Sequence, residues 1–462
     1  MRLIKWSAAA LATAILCSTP VSTQPRARGA AVLYEGARLI VGDGSPAIEN
    51  AALVVSGDTI TAIGVKGKLR APGGATRVDL TGKTVMPAIV NFHSHLGYEQ
   101  YTTSVGDARP EHFTRENLLD HLYREAFYGV GTVHDGGSVA LDIALPLMTD
   151  VVAGRYPGAA QMSPMAGVVP PDGGPDHILI RGTRALNANY EVTRAGEARE
   201  AMRAIAGRGV KHVKLWFGDR NGTYPAMPHE VYDAAIDEAH KVGLKVHVHA
   251  TNLRDQKDAL SAGADVIVHS VQNVRLDDEL VALVRSKKPY WTTVMGLGDR
   301  SELCDGNNPF AEQTLSSAII ADVRANRCRP NPNAATREEI LKANFMKMIE
   351  SGARLVLGSD TGVFPHYTFG WADHHELQRY VELGLSPSDA IVAATSRPAE
   401  ALGLTDVGSL ATGKKADFLV LDANPLEDIR NTRKIGSIYL RGARVDRDAL
   451  LARWKRPSST AQ

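Results

Sequence analysis

A chain of 462 residues has room for a large core and for one big α/β domain plus a smaller one. With 44% hydrophobic and 22% charged residues it has the composition of a globular protein. A formal net charge of +1 and the lack of any basic stripe or tail argue against nucleic acid as a partner.

The first residues, MRLIKW, carry Arg2 and Lys5, and SAAALATAILC continues as a run of about eleven small and apolar residues. A membrane span needs ~20 apolar residues, and this run stops at Ser18–Pro20. The pattern predicts a signal peptide over residues 1–23, cleaved near Val21–Ser22–Thr23, and a periplasmic or secreted protein with no stable membrane span. Leu16 before Cys17 is too bulky for the usual lipobox, which disfavours a lipid anchor. Cys304 and Cys328 remain in the mature chain, flanking a polar Gly/Asn/Pro-rich stretch. In an oxidising compartment they are expected to pair.

Residues 24–86 alternate apolar and polar positions between Gly/Asp turns, as in AAVLYEGARLIVGDG, and residues 401–450 do the same in GKKADFLVLDANP and KIGSIYLRGARV. This predicts one small β-sandwich built from both chain ends, with a short tail over 451–462. The insert, residues 87–400, alternates strands and helices. Candidate strands are Met86–His93, Gly131–Asp135, Gln161–Val168, Lys211–Trp216, Leu244–His249, Asp265–His269, Tyr290–Val294 and Arg354–Asp360. Val231, Ala235, Ala239 and Val242 follow helical spacing before Gly243. Asp373 with Glu376 reads as a capping-box variant, and Ser386–Pro387 with Asp389 reads as a helix start. Eight βα units in ~310 residues predict a (β/α)8 barrel, an α/β fold. An open doubly wound sheet would carry a glycine-rich phosphate turn after its first strand, and none is present.

In such a barrel the chemistry sits at the C-terminal ends of the strands. Those ends carry His93 and His95, Lys214, His249, His269 and Asp360. Residues i and i+2 of a strand share a face, ~6–7 Å apart, so the two imidazoles of FHSH can converge on one ion. Histidine with carboxylate suits zinc or a similar divalent metal. His247 shares a face with His249 but lies deeper, where a hydrogen-bonded role fits better. Lys214 would point among apolar residues, which is costly unless its charge is paired or removed. Asp360 can bind metal and also move a proton.

These residues resemble those of the amidohydrolase superfamily, in particular its imidazolonepropionase- and prolidase-like branch. MPAIVNFHSHLG resembles the strand-one motif usually written PGLIDxHxH, with Pro87 kept, Ala88 in place of the usual Gly and Asn91 in place of the usual Asp. GVKHVKLW resembles the strand-four segment, HATNLRDQKDALSAGADVIVHS the linked strand-five and strand-six motif, and GSDTG the strand-eight motif. ATSRPAEALGLTDVGSLATGKKADFLVLDANPL resembles the return to the sandwich. Only 137–206 and 301–333 are poorly covered. The resemblance implies a binuclear site: His93, His95 and Asp360 on one ion, His249 and His269 on the other. Carboxylated Lys214 and a hydroxide would bridge two zinc ions, and Asp360 would act as catalytic proton shuttle.

Substrate selection belongs to the loops, where Tyr98, His134, Asp135, Arg254, His366 and His374 are candidate contacts. The expected reaction is hydrolysis of an amide or peptide C–N bond in a small molecule of the dipeptide or N-acyl amino acid class. A cyclic amide, a lactone or a phosphotriester on the same site is the rival enzyme reading. A secreted, non-catalytic binding protein is the rival of another class. A homo-oligomer remains open.

Overall fold

The computed structural model describes residues 31–99, 109–174, 186–220, 222–296, 304, 308–328, 332–362 and 367–455. The expected leader and His366 lie outside the described residues. The chain opens with β1 (Val32–Leu39), β2 (Ile48–Ser56), β3 (Thr59–Val65), β4 (Thr76–Asp79) and β5 (Thr84–Pro87). The middle contributes β6 (Ile89–Ser94), β7 (Val130–Asp135), β8 (Gln161–Ser163), β9 (Ala166–Val169) and β10 (Asn189–Glu191). It continues with β11 (His212–Leu215), β12 (Lys245–His249), β13 (Val266–Val268), β14 (Tyr290–Thr292) and β15 (Arg354–Leu355). The chain closes with β16 (Phe418–Leu421), β17 (Ile435–Leu440) and β18 (Ala443–Arg444).

Both chain ends meet in one eight-stranded sheet, in the order β18-β17-β16-β5-β1-β2-β3, with β4 also paired to β1. The joint is antiparallel: Phe418 faces Pro87 and Leu421 faces Thr84. Tyr34 packs edge-on against Phe418, with ring centroids 5.3 Å apart, in a core shared with Leu53, Ile60 and Val85. β4 covers Val32–Glu35 of β1 and β5 covers Arg38–Leu39. Gly36 sits at the change-over with φ +95°, where a Cβ would lie 2.5 Å from Thr81 Oγ1. Only glycine meets both demands.

The middle of the chain forms two parallel sheets, β10-β9-β11-β12-β13-β14-β15 and β6-β7-β8. Backbone hydrogen bonds join β6 to the segment after β15: Phe92 N donates to Leu357 O (2.7 Å), Asp360 N to His93 O (2.8 Å) and His95 N to Thr361 O (2.7 Å). Helices return the chain between strands. In His229–Lys241 the buried face carries Val231, Ala235 and Ala239, as their spacing requires, and Gly243 follows at φ +79°. In Pro387–Ala393, Ser386 accepts from Asp389 N at 3.1 Å, a standard N-cap.

Several expectations need correction. The expected strand Gln161–Val168 is two strands, β8 in one sheet and β9 in the other, separated at Pro164, which has no N–H to donate. The expected strand Arg354–Asp360 shrinks to Arg354–Leu355, because the rest of the segment bonds in turn to Trp291, Ala393 and β6 rather than to one neighbour. Asp373 and Glu376 form no capping box. The helix Trp371–Glu382 begins at Trp371 after Gly370, and both acids are buried. Glu376 accepts instead from Met295 N (3.1 Å) and from Gly296 N, fixing the turn after β14.

Candidate metal centre

His93 lies in β6, and His95 follows it. Their Nε2 atoms stand 3.2 and 3.1 Å from Asp360 Oδ1, with the rings at 86° to each other. Neither nitrogen of His93 has a hydrogen-bond partner, despite that short approach. Lone pairs aimed at a common point, rather than at each other's protons, give this geometry. Burial pulls His93 well below its usual range, and the Lys214 charge adds to that. Burial alone would raise Asp360, but the His93 and His95 rings outweigh it and hold the carboxyl well below the usual range.

The second pair is His249 at the end of β12 and His269 just past β13. His249 Nδ1 and His269 Nε2 are 2.9 Å apart. The His269 ring centroid is 5.9 Å from that of His93, which brings the two groups together. Lys214 in β11 is fully buried, and its Nζ lies 5.0 Å from the centre of the Trp216 ring with no hydrogen-bond partner. Burial brings the amine down from 10.5 to about 7; Asp360 opposes the shift and Arg220 assists it.

Two of these residues hold unusual backbone: Asp360 at φ +55° and His269 at φ +80°. Non-glycine residues there cost about 1–3 kcal/mol, and such strain concentrates at functional sites. Glycines make room. A Cβ on Gly136 would lie 2.7 Å from His93 Cε1 and 2.9 Å from His95 Nε2, and one on Gly358 would lie 2.5 Å from His93 Cβ. Asn91 ties the shell together. Its Oδ1 accepts from His93 N (3.0 Å), while its Nδ2 donates to Ser359 Oγ (2.8 Å) and to Glu125 Oε1 (3.3 Å). An aspartate here could not donate to Ser359 Oγ as the amide does. Burial and the neighbouring Asp373 carboxyl push Glu125 well above its usual range.

The loop candidates fare differently. Tyr98 is buried against Phe113 and gives its hydroxyl to Ser138 O, so it holds a loop and does not face an open mouth. Asp135 is buried too. It accepts from Leu96 N (3.2 Å) and Gly137 N (2.8 Å), and burial raises it to about 7. His374 spends both ring nitrogens, on Tyr128 O (2.7 Å) and Thr432 Oγ1 (2.9 Å), bonding its helix to the chain around it. Arg254 is exposed, 3.6 Å from Asp258 one helical turn on. His134 turns inward toward His212 and His247. His134 and Asp135 belong to β7 and His374 to the helix Trp371–Glu382, and a place near a strand or helix end does not say which way a side chain turns. Arg220, which acts electrostatically on Lys214, His249 and His269, was not singled out. Its place in the Gly/Asn-containing loop FGDRNG after β11 was the available signal.

The profile described as the amidohydrolase family matches residues 84–442. The chain belongs to the amidohydrolase family. It is therefore a member of a group of metal-dependent hydrolases acting on C–N bonds, and the buried His/Asp group fits that requirement. An ochratoxinase of Aspergillus niger is 25% identical over 431 residues, covering 86% of this chain and 82% of that protein. The imidazolonepropionase of Deinococcus radiodurans is 25% identical over 422 residues, covering 86% and 92%. The crystal structure of a putative prolidase from Bifidobacterium longum superposes with a TM-score of 0.69 at 23% identity, covering 93% of this chain and all of that one. That likeness establishes the fold. Among the described residues no helix is long and apolar enough to cross a membrane. Cys304 and Cys328 form a disulfide, with Cα atoms 5.4 Å apart.

Proposed function

We propose that this amidohydrolase is an exported, two-metal enzyme that cleaves an amide or peptide C–N bond in a small substrate of the dipeptide or N-acyl amino acid class. One observation carries the reading: His93, His95 and Asp360 converge with buried, unpaired nitrogens, beside a buried lysine and a second histidine pair. His93, His95 and Asp360 would hold one zinc-like ion and His249 with His269 the other, with Lys214 between them as a carbamate. Ions held there would supply Lewis acidity to the substrate carbonyl and acidity to water. Asp360, held ionised among the imidazoles, takes the proton of the attacking water and delivers it to the departing nitrogen. Lys214 is suited to carbamate formation, because burial brings its amine down to about 7, so that a substantial fraction is uncharged at neutral pH. Arg220, close enough to act on these groups, can face a substrate carboxylate.

The ordering of strands supports a closed (β/α)8 barrel over residues 87–400, sealed where β6 meets the segment after β15. The split of β1 between β4 and β5 supports a sheet folded into a sandwich, from residues 24–86 and 401–450. Export rests on the apolar leader over 1–23 and agrees with the disulfide. The family's action on C–N bonds supports an amide or peptide bond as the target.

The test is a screen of zinc-loaded mature protein across dipeptides, N-acyl amino acids, cyclic amides, lactones and phosphotriesters. Turnover of C–N substrates that stops on chelation and returns with zinc is expected. Preference for lactones or phosphotriesters would overturn the substrate class. A folded, metal-free protein that binds ligand without turnover would overturn the enzyme.

A further inference from the structure

A second histidine cluster lies beneath the strand ends and takes no part in the reaction above. His134 precedes Asp135 on β7, His212 lies two residues before Lys214 on β11, and His247 lies two residues before His249 on β12. All three are buried. Their ring centroids form a near-regular triangle, with sides of 4.8, 5.1 and 5.1 Å. One ring nitrogen of each lies within 4.8 Å of the other two. Phe92 stacks on His247 at 5.1 Å and approaches His134 at 5.4 Å, giving the cluster an apolar wall.

Hydrogen bonding accounts for only part of this arrangement. His134 Nδ1 meets Ser163 O at 2.9 Å and Ser163 Oγ at 3.1 Å, which assigns it a proton and leaves Nε2 as a bare lone pair. That Nε2 has no partner. His212 Nδ1 and His247 Nε2 face each other at 3.0 Å, and His247 Nδ1 has no partner either. His134 Nε2 is thus an unsatisfied buried lone pair beside the His212–His247 contact, at a cost of about 1–3 kcal/mol that an ion in the triangle would remove. Zinc–imidazole bonds of ~2.0–2.1 Å set ligand nitrogens ~3.3 Å apart in a tetrahedron, close to the His212–His247 spacing. A carbonyl on the far nitrogen of a ligating histidine, as Ser163 provides for His134, is the usual support for such a ligand.

We propose that His134, His212 and His247 form a separate structural site for a zinc-like divalent ion. The ion clamps β7, β11 and β12 one step below Asp135, Lys214 and His249. It is distinct from the ions proposed at the strand ends and shares no ligand with them.

Zinc alone is the probe. The full chain carrying His93→Ala and His95→Ala, exhaustively loaded and then desalted, is expected to keep about one equivalent of zinc per chain. Adding His247→Phe removes it. In wild-type crystals, an anomalous peak at the zinc edge is expected within the triangle, whether or not the strand-end site is filled. Cobalt substitution of the double variant should give the visible absorption of a low-coordinate, imidazole-bound ion. An empty triangle in zinc-soaked wild-type crystals, or equal zinc content with and without His247→Phe, overturns the proposal. If His247→Phe does not fold, His134→Gln replaces it, and the wild-type anomalous peak decides by itself. Loss of activity with the triangle filled counts against the proposed function and not against this site.

Discussion

Replacing Gly136 by alanine isolates the geometry of the histidine pair. Gly136 does not have positive φ, so alanine is permitted by the backbone and the effect is steric. The new methyl carbon would lie 2.7 Å from His93 Cε1, and 2.9 Å from both His95 Cε1 and His95 Nε2. Carbon atoms settle at ~3.5–4.0 Å, so the rings and the methyl must part by on the order of 1 Å. The rings have little slack: Asp360 Oδ1 stands 3.2 and 3.1 Å from them, and His95 N is bonded to Thr361 O. A misplacement of about 1 Å costs roughly 10²-fold in rate. Gly136→Ala should therefore lower kcat/KM about 100-fold, equivalent to ~2.7 kcal/mol. It should weaken zinc retention as well and leave the thermal midpoint within a few degrees. The assays are steady-state hydrolysis of the best substrate from the screen, zinc content after dialysis, and a melt. A variant with wild-type zinc and a rate within about threefold of wild type would refute the claim that these two rings are held as a ligand pair.

Other outcomes follow from the same geometry. Asp360→Asn should reduce turnover by about 10²–10⁴-fold while most zinc stays bound, whereas His95→Ala should lose zinc; full rate in Asp360→Asn would sink the proton-shuttle role. The Lys214 amine is neutral above about 7 and protonated below it, so reactivation of the apo-enzyme by zinc and limiting bicarbonate should slow about tenfold per pH unit on going below 7. Apo-protein stability should correspondingly rise with pH between about 7 and 10.5, where the unfolded chain holds a proton that the native lysine lacks; Lys214→Met should remove that slope. Cys304 and Cys328 are 24 residues apart, and opening their bond should cost about 3.5 kcal/mol by chain entropy, seen as a lower unfolding midpoint of Cys304→Ser/Cys328→Ser than of the oxidised chain.

The sequence by itself determined the alternation of strands and helices in the middle of the chain. It also placed His93, His95, Lys214, His249, His269 and Asp360 at or near strand ends. That information is local: two-residue periodicity, helix starts such as Ser386–Pro387, and short motifs lie within one element. The family matched over residues 84–442 agrees with that reading. What only the tertiary structure decided is what comes from elsewhere in the chain to meet each residue. Tyr98 looked like a mouth residue until Ser138 took its hydroxyl, and His374 until Tyr128 and Thr432 took its ring. Glu376 looked like a cap until it met the Met295–Gly296 backbone. His134, His212 and His247 lie on three different strands, and no sequence spacing relates them. Their rings meet through the packing of separate strands: the register sets Lys214, and not His212, opposite His247, and Ser163 opposite His134, so tertiary packing and not chain proximity brings the three together.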